Sequence, residues 1–174
     1  MKNLWKNTYF WSLVVAVIIS CVFRHNYKVY KVSGPSMYPA VLNDEWVLAK
    51  KNFEPQRYDV VAMEGGTNEK LIKRIIGMPN DKLEINNGYI YINDEKIKDS
   101  FGIGRISYYL VDDNDKIMTY WSGLNTGRPV IKFVSHASII LSEGEYYYIG
   151  DNRSVSVYGI VKKINVLGKI VAGF

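Results

Sequence analysis

A chain of 174 residues is long enough for one domain with a real core, or for a domain plus a small satellite, and too short for two large domains. Its hydrophobic content of 48% and charged content of 22% exclude disorder over most of the length, and the single cysteine, Cys21, excludes an internal disulfide framework. The formal charge of +5 suits an anionic membrane surface, but no nucleic-acid-binding motif accompanies it, and His25 and His136 alone make no zinc cluster, so neither a nucleic-acid partner, a metal nor a cofactor is expected.

Lys2 and Lys6 precede "YFWSLVVAVIISCVF", an uncharged and mostly apolar run over residues 9–23, after which Arg24, His25 and Lys28 restore polarity. As a helix this run spans about 22 Å, short of a ~30 Å hydrocarbon core unless Leu4, Trp5 and a snorkelling Lys6 lengthen it. A cleaved signal peptide needs small residues at the cut, and "CVFRHNY" supplies none. "IISC" loosely resembles a lipoprotein box, yet Val22 and Phe23 carry the apolar run past the cysteine. A buried core helix would show a polar face, and this run has none. A single uncleaved membrane anchor over residues 1–23 fits best. Lys2, Lys6 and the amino terminus on one side balance Arg24, Lys28 and Lys31 on the other, so charge does not orient it.

From Lys28 onward short runs rich in Val, Ile and Tyr replace helical spacing. "YKVYKV", "EWVLAK", "YDVVAM", "KLIKRIIG", "KLEINNGYIYIND", "RPVIKFV", "EYYYIGD" and "VLGKIVAGF" are predicted strands, separated by Gly, Asn, Asp and Pro. Asn87-Gly88 between alternating apolar residues predicts a two-residue hairpin. The expected fold is mainly β: antiparallel sheets closed into a sandwich or barrel-like body over residues 24–174, with residues 83–141 as an inserted β subdomain.

Two segments carry chemistry. In "VSGPSMYP" Pro35 and Pro39 hold the backbone around Ser36 extended or turned, and Gly34 is expected to admit a second backbone close by. Taken alone, the segment also reads as a Gly-Pro surface turn that contains a serine. A serine hydroxyl needs a base that is largely unprotonated at working pH. If residues 71–76 form a strand, Lys73 shares a face with Leu71 and Ile75, and desolvation there lowers its pKa toward that of a useful base. Arg74 points the other way. Lys73 alone also reads as an exposed strand lysine, and His136 is a competing base in a Ser-His-Asp arrangement.

"SGPSMYP", "RYDVVAM", "KLIKRIIGMPND" and "YYIGDNR", in that order behind an N-terminal anchor, resemble the successive boxes of type I signal peptidases, membrane-bound serine endopeptidases with a Ser-Lys dyad. The resemblance covers the whole chain. It implies Ser36 as nucleophile and Lys73 as general base, in a catalytic β domain on the outer face of the cell membrane, with exported preprotein signal peptides as substrates. It also implies that Gly34 stands where Gram-negative members place a hydroxyl donor, leaving the backbone N–H of Ser36 as the main oxyanion donor. Substrate is expected as an added strand between the segments leading into Ser36 and Lys73, with small side chains at the first and third positions before the cut.

The last box departs from the family pattern G-D-N-R-x-x-S-x-D-S-R. Here it reads "GDNRSVSVYG": Gly150, Asp151, Asn152, Arg153 and Ser156 match, and the D-S-R triplet is missing. The resemblance makes Ser156 the serine that hydrogen-bonds the catalytic lysine, gives Arg74, Asp151, Asn152 and Arg153 supporting roles, and removes the Asp-Arg pair that braces the site. This departure motivates an alternative: a signal-peptidase-like accessory in pilus assembly, weakly catalytic or non-catalytic, acting on pilin or its sortase-type polymerase. A soluble self-cleaving Ser-Lys repressor is a further reading, at odds with the N-terminal apolar run.

Overall fold

The computed structural model describes residues 8–66, 69–98, 100–109, 119–122, 126–129 and 131–174. Lys2, Leu4, Trp5, Lys6 and Val130, named in the expectations above, lie outside them. The first element, α1 (Thr8–Asn26), runs three residues past the expected end of the anchor. Its 19 residues span about 28 Å, so the shortfall against a hydrocarbon core nearly disappears. The apolar stretch Tyr9–Asn26 has mean hydropathy 1.4 and is not buried against the rest of the chain.

The helix passes straight into strand β1. Its last carbonyls, which have no intrahelical partner, are taken by Lys51: the backbone N–H donates to Asn26 O at 2.7 Å and Nζ to Arg24 O at 3.0 Å. Phe23 stacks on Tyr27 across the junction, with ring centroids 5.1 Å apart.

The strands are β1 (Tyr27–Lys31), β2 (Trp46–Lys50), β3 (Val60–Glu64), β4 (Lys70–Gly77), β5 (Lys82–Asn86), β6 (Tyr89–Ile92), β7 (Glu95–Lys96) and β8 (Ser107–Tyr109), followed by β9 (Thr119–Ser122), β10 (Thr126–Pro129), β11 (Ile131–Phe133), β12 (His136–Ile140), β13 (Glu145–Ile149), β14 (Tyr158–Lys162) and β15 (Val166–Gly173). All their pairings are antiparallel. A seven-stranded sheet has the order β1-β2-β15-β3-β4-β13-β14. A second sheet has the order β12-β5-β6-β7, and β8 with β11 and β9 with β10 form two ribbons.

The chain thus leaves the large sheet after β4 and re-enters it at β13. The apolar core does not respect that division: Ile76 and Ile149 of the large sheet pack in one cluster with Leu83, Ile85 and Ile90 of the second. The second sheet has no face of its own to bury elsewhere, so it is tied to β4 and β13. Asn87 and Gly88 both have positive φ, 49° and 77°, as the predicted hairpin turn requires. β14 and β12 were not among the predicted strands. Both follow irregular, Ser-containing stretches and show little alternation, and β12 is exposed throughout.

Candidate active site

Ser36 sits in a turn just beyond β1. Tyr38 N–H donates to Pro35 O at 3.1 Å and Val41 N–H to Met37 O at 3.0 Å, and the Tyr38–Pro39 peptide is cis. Gly34 has φ +96°, where an L side chain is strained, and its N–H donates to Asn43 Oδ1 at 2.7 Å. A Cβ there would meet nothing within 4 Å. The glycine therefore serves the left-handed turn and not, as expected, the approach of a second backbone.

β4 brings the partner. The register sets Lys73 opposite Val61 of β3, which is fully buried, and the period of two puts Leu71 and the buried Ile75 on the same face. Lys73 is only 3% exposed, and its Nζ donates to Ser36 Oγ at 2.7 Å and to Ile72 O at 3.1 Å. No carboxylate contacts it among the described residues. Burial in this apolar setting disfavours the ammonium and lowers the lysine pKa to about 8.

The next residue turns to the other face of β4 and meets the opposite environment. Arg74 donates from Nε to Asp151 Oδ1 at 2.8 Å, from Nη2 to Asp151 Oδ2 at 2.6 Å, and from Nη1 to Tyr58 O at 2.7 Å. Asp151 is fully buried and Arg74 nearly so. This bidentate pair joins β4 to the chain just beyond β13, so the site keeps an ion pair apart from the one that the missing D-S-R triplet would supply. The geometry suits guanidinium better than ammonium because the two N–H···O bonds are parallel.

The last box supports Ser36 through its backbone. Asn152 N–H donates to Ser36 O at 3.0 Å. Gly150 packs so closely that a Cβ there would overlap Ser36 O and Ser156 Oγ. Ser156 Oγ accepts from Gly150 N–H at 2.7 Å and donates to Val157 O at 2.8 Å. Its expected bond to Lys73 is not among these contacts: Lys73 Nζ donates to Ser36 Oγ and Ile72 O, and Ser156 orders the loop under Ser36 instead. Arg153 is buried, and its backbone N–H donates to Ile103 O at 3.0 Å.

A cleft of about 90 Å³ opens at Ser36, between Lys31, Val32 and Ser33 on one side and Lys70, Leu71 and Ile72 on the other. Met37, 1% exposed, forms part of its wall. Sequence reasoning passed over this residue; the signal was an apolar side chain directly after a turn serine, which must go inward. On one side β4 pairs with β3 along residues 70–74, but on the other the pairing with β13 begins only at Arg74, so among the described residues the 70–73 edge has no strand partner there. Among the described residues, the Ser36 N–H donates no hydrogen bond. His136 lies elsewhere: it is exposed on β12, 6.4 Å between ring centroids from Tyr158, in a separate apolar cavity with Leu83 and Ile139.

Residues 2–174 match the family described as Signal peptidase, peptidase S26. The chain belongs to the type I signal peptidase family. Among signal peptidases it is 28% identical to signal peptidase IB of Staphylococcus aureus (strain Mu50), over 91% of this chain and 84% of that protein. It is 29% identical to signal peptidase I of Streptococcus pneumoniae serotype 4, over 89% and 83%. A crystal structure of a signal peptidase I from Enterococcus faecalis V583 aligns with a TM-score of 0.44 at 23% identity, over 68% of this chain and 98% of that one. A signal peptidase is a hydrolase acting on exported preproteins, and that is this chain's function. The pilus-accessory alternative is not favoured: its motive was the shortened last box, and the relatives named above are signal peptidases.

Proposed function

We propose that Ser36 and Lys73 form the catalytic dyad of this signal peptidase, a reading carried by the 2.7 Å contact between Lys73 Nζ and Ser36 Oγ. With a pKa near 8, a useful fraction of Lys73 is neutral around neutrality, and its lone pair accepts the hydroxyl proton as Ser36 Oγ attacks the scissile carbonyl. The oxyanion that forms is met by the Ser36 backbone N–H, which has no competing acceptor among the described residues. Lys73, now an ammonium, gives its proton to the departing amine. The ester is then hydrolysed by a water that Lys73 deprotonates, which regenerates Ser36.

The signal peptide binds as an added strand along the unpaired 70–73 edge of β4, where main-chain hydrogen bonds hold any sequence and the small cleft beside Met37 selects short side chains near the cut. Arg74 with Asp151, and Asn152 with Ser156, hold the two halves of the dyad in place. α1 anchors the chain in the phospholipid bilayer, with its amino terminus inside and the body, residues 24–174, on the outer face; residues 83–141 form the inserted subdomain. The Lys51 clamp on the helix end supports a fixed height of Ser36 above the bilayer.

Cleavage of a preprotein by the purified full-length protein tests the reading. Wild-type protein releases the mature chain at one site; Ser36→Ala and Lys73→Ala do not, and His136→Ala does. Turnover by folded Ser36→Ala protein would overturn it.

A further inference from the structure

Between β7 and β8, residues 101–104 fold back onto the last box. Ile103 bridges Asn152 in parallel, its N–H donating to Asp151 O at 2.8 Å while its carbonyl accepts from Arg153 N–H at 3.0 Å. The residue so bracketed, Asn152, is the one whose N–H holds the Ser36 carbonyl. Two positions before Ile103, the Phe101 ring centroid lies 4.0 Å from the Arg74 guanidinium carbon and 5.6 Å from the Tyr58 ring centroid. Arg74 spends its edge on Asp151 and Tyr58 O, which leaves its flat face, and Phe101 covers that face.

We propose that residues 101–104 are a positioning strap for the catalytic serine, replacing the three residues missing from the last box. Phe101 keeps water off the Arg74–Asp151 pair, and the Ile103 backbone fixes the loop that carries Asn152. A charge pair shielded from solvent interacts several times more strongly than one in water and responds little to salt. Displacing a reacting group by even 1 Å costs about 100-fold in rate. Because Phe101 is 40% exposed, it can be truncated without opening a core cavity. The inference rests on Ser36 being the nucleophile.

The test is kcat and KM of the full-length enzyme on an uncharged peptide substrate, with salt raised from about 0.01 M to about 1 M, which shrinks the screening length from ~30 Å to ~3 Å. Phe101→Ala is expected to lower kcat by about tenfold with KM nearly unchanged, and to make kcat fall further with salt, where the wild type stays level. Phe101→Tyr restores both the rate and the salt insensitivity. Phe174→Ala, which removes an exposed aromatic just beyond β15, serves as a control and behaves as wild type. A wild-type kcat in Phe101→Ala, a loss independent of salt, or an equal loss in Phe101→Tyr overturns the strap. If Phe101→Ala does not fold, Phe101→Gln decides: it keeps bulk but brings water to the pair, and a wild-type rate and salt response in it overturn the proposal equally. Failure of the nucleophile assignment shows separately, as turnover by Ser36→Ala.

Discussion

Lys73 and Arg74 are neighbours on β4, both cationic and both nearly removed from solvent, yet the two faces of the strand treat them in opposite ways. Lys73 has a hydroxyl and a carbonyl as partners, so burial is uncompensated and its pKa falls to about 8. Arg74 has a fully buried carboxylate in a two-pronged grip. Burial of charge is therefore not one effect. Without a counter-charge it disfavours the ammonium; with one it builds a brace.

The sharpest way to break this comparison is through the dyad. Ser36→Ala should reduce preprotein cleavage to background, a loss on the order of 10⁶-fold, and Lys73→Ala should lose on the order of 10²- to 10⁴-fold, each measured by single-site processing with intact circular dichroism. If the base is Lys73, the chemical step should rise about tenfold per pH unit below 8 and level off above it, since only the neutral amine accepts the proton. Lys73→Arg should be inactive at every pH in that range.

On the other face, Asp151→Asn leaves Arg74 buried without its counter-charge and should cost about 3–5 kcal/mol of unfolding free energy, read from denaturant melts. Lys73→Met should do the reverse and stabilise the inactive protein at neutral pH. The sign follows from linkage. The folded pKa, about 8, is below the ordinary 10.5, so the unfolded chain binds more protons between those values and wild-type stability rises with pH across that window. The advantage of Lys73→Met is therefore full below pH 8 and fades as pH approaches 10.5. The smallest effects belong to exposed pairs. Removing Lys163–Glu54 or Lys82–Asp94 should leave the melting temperature within scatter, because water and salt already screen them.

Much of this was legible in the chain. The strand "KLIKRIIG" was read with its bounds intact, since a β-branched apolar run ending in glycine before Met-Pro allows little else. The hairpin at Asn87-Gly88 was legible because both residues tolerate positive φ. β14 was missed because "YGIVK" follows a Ser-Val repeat whose exposed valines mimic a loop. The role of Gly34 was misread, because sequence distinguishes a glycine needed for φ from one needed for space only when the neighbouring chain is known. Ser156 was tied to Lys73 by family pattern, while the shortened loop turns its hydroxyl to Gly150 and Val157.

By itself the sequence determined the residue types, the strand periodicity and the alternation that sends Lys73 and Arg74 to opposite faces, because a pleated strand has a period of two whatever surrounds it. The tertiary structure alone decided what waits on each face. Ser36, 37 positions before Lys73, Asp151, 77 positions after Arg74, and Phe101, on an excursion between them, meet β4 through pairings of distant segments. Local propensity carries no information about such meetings, and their burial lowers the pKa of one side chain while it locks its neighbour into an ion pair.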